Sequence, residues 1–255
     1  MLMKLGFYLF LILVFVSFSA HAKTMKQHEN DLISIFNTDL KYVNNNDDRP
    51  HSYEEGYGTF WRFRKALKKV LLMKESVHYP FDSLSQLINI HQSLDKRFRS
   101  LTWYEGGGTG SSFDQVFQYV DESNKIRVYE TGDEDGDFNN NYLRLEQLEI
   151  NKKPVYLVFG WSSGGGGTYC RCVKAFEIIG RRLAGANIFN DSGSLGNEIY
   201  TCQPRMYKNE IIFDPIKNEF SYDLYVTDDE TGFPLKTKSK VYWKLITNEF
   251  IKSME

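Results

Sequence analysis

From about residue 88 to the C-terminus, apolar residues recur at every second position, and a half-buried strand is the element with that period. "INIHQS", "RFRSLTWYE", "FDQVFQYV", "IRVYET", "VYLVFGWS", "YCRCVKAFEII", "EIYTC", "EIIFDP", "EFSYDLYV" and "KVYWKLI" all read as strands. "DESNK", "TGDEDGDFNN", "DPIKN" and "DDETG" separate some of them, rich in the residues that turns require. Many short, regularly punctuated strands predict an antiparallel meander, sandwich or propeller-like sheet. No strand–helix–strand alternation appears in this stretch, which argues against a parallel α/β sheet.

Upstream the period changes. Residues 25–43 carry Leu32, Ile33, Ile35, Phe36, Leu40 and Val43 at helical spacing. "NNNDDRPHSYEEGYG" breaks that pattern. A second helix is expected over about 58–76, with Trp61, Phe63, Leu67, Val70, Leu71 and Leu72 on its apolar side. Arg62, Arg64, Lys65, Lys68 and Lys69 lie on the other. Such a basic face suits a membrane surface, but a solvated face packed on the next domain is the simpler expectation. "YPFDSLSQL" reads as a short helical turn with Asp82 or Ser83 as N-cap. The expected class is α+β: a helical segment over 23–87 packed on an antiparallel β domain over 88–255.

Residues 1–22 read as a secretory signal peptide: Lys4, the apolar run "LGFYLFLILVFVSFS", then Ala20-His21-Ala22 as a small-x-small cleavage site. Cleavage would leave 233 of the 255 residues, with 30 basic against 33 acidic side chains, a net of −3. No transmembrane span is expected after cleavage, since no later stretch approaches the ~18 apolar residues a span needs. No block of Lys or Arg forms a stripe, so nucleic acid is not an expected partner. The 19 Phe, 16 Tyr and 4 Trp serve core packing or a glycan-stacking surface equally well, so composition does not separate the two.

The stretch "RFRSLTWYEGGGTGSSFDQVFQYV" is echoed by "VYLVFGWSSGGGGTYCRCVKAFEI". Each is a strand ending near a Trp, then a Gly-rich loop, then an aromatic-bearing strand. Trp103 and Trp161 stand 58 residues apart, as do Gly106 and Gly164, which suggests one hairpin used twice. The echo bears on Gly160-Trp161-Ser162-Ser163-Gly164, a literal match to the G-x-S-x-G nucleophile elbow. An elbow needs strand, sharp turn and helix, with the histidine after the serine. Glycines and an alternating stretch follow here, and all five histidines (His21, His28, His51, His78 and His91) precede Ser162. No catalytic residue is nominated. Gly106–Gly108 and Gly164–Gly167 do not precede a helix bearing Lys-Ser or Lys-Thr, so no P-loop is expected.

In an oxidising compartment two of the three cysteines should pair. Cys170 and Cys172 share one face of a strand and compete for Cys202. Cys172–Cys202 is the expected bridge, because Cys172 lies farther from the Gly164–Gly167 tip. No histidine lies nearby in sequence to complete a zinc set. Asp133, Asp135 and Asp137 could gather oxygens around Ca²⁺, but an EF-hand loop starting there would meet Phe138 and Arg144 where Gly and Glu are needed. A solvated acidic loop is the expectation, and Asp228, Asp229 and Glu230 read as a hairpin turn. No cofactor is expected.

"YPFDSLSQLINIHQSLDKRFRSLTWYEGGGTG", "VFQYV" and "YLVFGWSSGGGGTYCRCVKAF" resemble a group of uncharacterised secreted bacterial proteins with a helical N-terminal segment and a β-rich C-terminal part. The likeness covers about residues 60–250 and includes S-x-D-x-x-F-R, here Ser93, Asp95, Phe98 and Arg99. It implies architecture and location, not an activity. The sequence therefore points to a secreted or periplasmic, non-catalytic protein binding an envelope protein, glycan or other ligand. An extracytoplasmic hydrolase using unidentified carboxylates, glycan-directed in one form, is the alternative.

Overall fold

Helix α1 (Met25–Asn44) turns Glu29, Leu32, Phe36 and Asp39 to one buried side, three or four residues apart. The computed structural model describes residues 23–44, 60–106, 111–130, 140–163, 167–207, 209–232 and 234–255. The signal segment 1–22 and the acidic loop Asp133–Asp137 lie outside them. Helix α2 (Trp61–Leu71) buries Phe63, Leu67, Val70 and Leu71. It is shorter than the expected 58–76 because Met73 turns extended and a 3₁₀ turn follows at Lys74–Val77.

The two buried acids of α1 cap what comes next. Phe60 precedes α2 and supplies no side-chain cap. Asp39 Oδ2 instead accepts the Phe63 N–H at 3.1 Å, while Oδ1 accepts from Arg62 at 2.8 Å. Glu29 Oε1 accepts the N–H groups of Ser83 (2.8 Å) and Leu84 (2.9 Å). The 3₁₀ turn at Leu84–Gln86 is thus capped from α1, not by Asp82 or Ser83. Burial raises the Glu29 carboxyl, and these donors with Lys26 and Tyr79 outweigh it, leaving it below its ordinary value.

Strands β1 (Asn89–Gln92), β2 (Phe98–Gly106), β3 (Ser112–Val120) and β4 (Ile126–Glu130) form an antiparallel meander. The second sheet contains β5 (Asn141–Ile150), β6 (Lys153–Ser163), β7 (Thr168–Ile179), β8 (Arg182–Gly185) and β11 (Glu198–Pro204). Its path is β11-β7-β6-β5, with β8 on β7. The third contains β9 (Phe189–Asp191), β10 (Ser194–Gly196), β12 (Ile212–Asp214), β13 (Glu219–Thr227), β14 (Pro234–Ile246) and β15 (Glu249–Met254), in the order β10-β9-β15-β14-β13-β12. Pairing is antiparallel except between β9 and β15.

Side-chain alternation shows how the layers lie. Phe98, Phe117 and Tyr119 of the first sheet share a buried cluster with Tyr156, Val158 and Phe176 of the second. Alternate residues Leu101, Trp103 and Val116 share another with Leu32, Phe36, Phe60 and Phe63. Val155, Leu157, Phe159 and Val173 meet Phe213, Phe220, Trp243 and Phe250 of the third sheet. The first two sheets therefore bury both faces, which is why β2, β3 and β6 are buried along runs of consecutive residues.

Candidate functional site

The two Gly-rich hairpins are β2–β3 and β6–β7, and they meet at residues that flank their Gly-rich stretches. Ser111 pairs with Ser163 as an isolated antiparallel bridge, and Ser111 N–H donates to Ser163 Oγ at 2.9 Å. Ser162 lies opposite Cys170, so the G-x-S-x-G match is strand–loop–strand and lacks the helix an elbow requires.

That junction lines up a row of side chains across four strands from two sheets. Tyr104 faces Phe113 in register, with ring centroids 5.6 Å apart. Phe113 meets Trp161 edge-on at 5.0 Å. Trp161 lies opposite Arg171 and stacks on Tyr169 at 4.9 Å, with 18° between planes. The Arg171 guanidinium sits 4.6 Å over the Tyr169 ring. Tyr104 is exposed, Trp161 and Tyr169 are half-buried, and Phe113 is buried.

Arg171 joins the row to a cleft of about 190 Å³ lined by Leu143, Arg144, Phe159, Arg171, Glu210 and Ile211. Gly160 also lines it, and a Cβ there would stand 2.8 Å from Tyr142 Cδ1, so glycine is needed for close packing. Arg144 lies 4.7 Å over Phe159 and bonds Glu146 at 2.8 Å. Arg171 Nε donates to Asn209 O at 3.2 Å, and its Nη2 pairs with Glu210. Asn209 is buried and exchanges two hydrogen bonds with the Asp223 backbone, at 3.1 and 3.2 Å. This fixes the cleft wall.

The structure pairs Cys170 with Cys202, not Cys172 with Cys202. Strand register decides it: β11 sets Cys202 opposite Cys170 and Tyr200 opposite Cys172. The Cα atoms of the bridged pair are 4.0 Å apart. Reaching Cys172 would slide β11 by two residues. Distance from the glycine tip has no bearing on this. Cys172 is buried and lies outside the bridge.

On the other side of the β2–β3 hairpin, Arg64 of α2 grips Asp114, with Nε–Oδ2 at 2.7 Å. Glu105 lies near Asp114. Burial, then the Asp114 charge, push the Glu105 carboxyl up to about 7, against the pull of Arg64. The basic face of α2 is thus largely committed within the chain: Arg62 to Asp39, Arg64 to Asp114, Lys68 to Glu130 at 3.1 Å. Lys65 lies over Trp61.

The S-x-D-x-x-F-R residues do structural work. Ser93 Oγ and Arg97 N–H donate to Asp95 Oδ1, and Tyr156 O–H donates to Oδ2 at 2.9 Å, joining first sheet to second. Phe98 stacks on Tyr156 at 4.9 Å. Buried Arg99 donates to the carbonyls of Ser76, Val77 and Tyr79 and to Gln118 Oε1. Among the described residues no group of three His, Cys, Asp or Glu is placed to hold a metal. Nor is any helix there long and apolar enough to cross a membrane. The aromatic row escaped the sequence reading because it depends on Ser111 meeting Ser163; the Trp103–Trp161 echo was its one available signal. No family model matches the chain, and no curated protein matches its sequence.

Proposed function

We propose that this chain is a secreted or periplasmic, non-catalytic protein that binds a ligand at the cell envelope through the Tyr104–Phe113–Trp161–Tyr169 row and the adjoining Arg171 cleft. In this reading residues 1–22 direct export, the bridge Cys170–Cys202 suits an oxidising compartment, and the helical segment 23–87 packs on the β domain to brace the hairpin ends. The observation that carries it is the row itself, in which aromatic rings from two sheets are brought into line beside a cleft. Tyr and Trp offer an apolar face with a polar edge, a combination enriched at binding surfaces.

For the hydrolase alternative, Glu105 and Asp114 are a pair of neighbouring acids among the described residues. Arg64 occupies Asp114. The test compares retention of wild-type protein and a Trp161→Ala/Tyr169→Ala variant on immobilised envelope extract. The variant should keep the wild-type melting temperature and bind about tenfold more weakly. Equal retention would overturn the reading.

A further inference from the structure

Resting on that binding function, we infer that the ligand is an acidic oligosaccharide whose sugar rings lie along the aromatic row and whose carboxylate enters the cleft beside Arg171. Geometry sets the class. The row draws Tyr104 and Phe113 from the paired strands β2 and β3 and Trp161 and Tyr169 from the paired strands β6 and β7, with Ser111 and Ser163 joining the two pairs. The row is built of aromatic side chains, whereas an extended peptide draws its affinity from backbone pairing along a strand edge, which ring faces do not supply. Flat rings with one apolar face and a polar rim match such a surface. Sugars have that form.

Charge sets the second half. Arg171 is aimed by three contacts: the Tyr169 ring beneath it, the Asn209 carbonyl on Nε, and Glu210 on Nη2. The first two come from buried or half-buried groups and hold the guanidinium whether or not Glu210 stays. The Glu210 side chain is 62 % exposed, so its attraction is weakened by water and its place is open to exchange. A ligand carboxylate that displaces it takes up the same charge-assisted hydrogen bond. Arg144, stacked on Phe159 across the cleft, supplies a second guanidinium, and its partner Glu146 is likewise solvent-exposed. Glu210 is in effect a stand-in for the ligand's acid.

The test is calorimetric titration of the full mature chain with short galacturonate, glucuronate and mannuronate oligomers, beside the same oligomers with each carboxyl reduced to an alcohol. At least one acidic oligomer should bind, and its reduced form at least tenfold more weakly. Arg171→Gln and, separately, Arg144→Gln should erase most of that difference. The second variant leaves the Asn209 contact intact and guards against a folding effect. Glu210→Gln should tighten binding of the acidic oligomer severalfold by removing the competitor. Equal binding of acidic and reduced forms overturns the carboxylate inference and leaves the aromatic row standing as the binding surface. Binding of neither form, with envelope retention still dependent on Trp161, overturns the glycan class alone. Binding of neither form, with retention indifferent to Trp161, overturns both.

Discussion

Arg99 is a cation placed where cations seldom go, and its partners explain why it stays. Its guanidinium is buried and donates to three successive stretches of carbonyl at Ser76, Val77 and Tyr79, tying the turn after α2 to β2. Arg99→Met keeps the volume and orphans those carbonyls. It should cost about 3 kcal/mol or more, read from the urea midpoint, and a cost below about 1 kcal/mol would refute this role. Glu105 yields a pH dependence. Its carboxyl holds a proton more tightly folded than unfolded, because burial and then Asp114 lift it from 4.5 to about 7. Its contribution to stability is therefore full at low pH and lost as pH rises through about 7. Glu105→Gln, which mimics the protonated form, should gain in melting temperature relative to wild type on going from about pH 5 to about pH 8. A constant difference would show that Glu105 is an ordinary surface acid. The F-R motif was visible in sequence as a pattern. The buried acids Glu29 and Asp39 were not, because nothing local distinguishes a solvated acid from one that caps a segment over 20 residues away.

Strands that alternate strongly were legible, and those that depend on a neighbour were not. β2, β3, β6 and β7 lie within a residue or two of the stretches read from period alone. β5 (Asn141–Ile150) was missed: it is an edge strand with exposed and half-buried polar residues along most of its length, so no clean alternation marks it. No strand is read over 180–197, yet it contains β8, β9 and β10, each three or four residues long: β8 folds back on β7 and β10 on β9 through tight turns, and β9 is held by the distant β15. The Cys170–Cys202 bridge acts at this scale. It ties β7 to β11 and closes a loop of 32 residues that includes those three weak strands. The chain-entropy model gives such a loop about 3–4 kcal/mol. Cys202→Ser should lower the melting temperature of oxidised protein by about 5–10 °C and leave reduced protein unchanged. Equal melting of oxidised wild type and variant would show that sheet pairing alone fixes that loop.

Across the whole molecule, three buried clusters share two sheets. The first sheet contributes one face to the cluster with Leu32, Phe36 and Phe63 and the other to the cluster around Phe98 and Tyr156. The second sheet contributes to that cluster and to the one around Phe220 and Trp243. Removing any layer would expose an apolar sheet face to water, at roughly 25 cal/mol for each Å² uncovered, so the layers should not unfold separately. The antiparallel β content and the two helices were readable because period distinguishes helix from strand. The order of the layers was not, because a strand buried on both faces looks the same whichever face meets helix or sheet. Tryptophans mark the two ends of the stack: Trp103 lies in the helix-side cluster and Trp243 in the third-sheet cluster. Two variants, one keeping only Trp103 and one keeping only Trp243, give each end its own fluorescence reporter. In each, the urea midpoint by fluorescence should coincide with the midpoint by far-ultraviolet circular dichroism on the same sample, which cancels any stability lost to the substitutions themselves. If the Trp243 signal moves before the circular dichroism while the Trp103 signal follows it, the third sheet melts on its own, and the binding row, whose cleft wall is pinned through Asn209 to β13, would be lost before the rest of the fold.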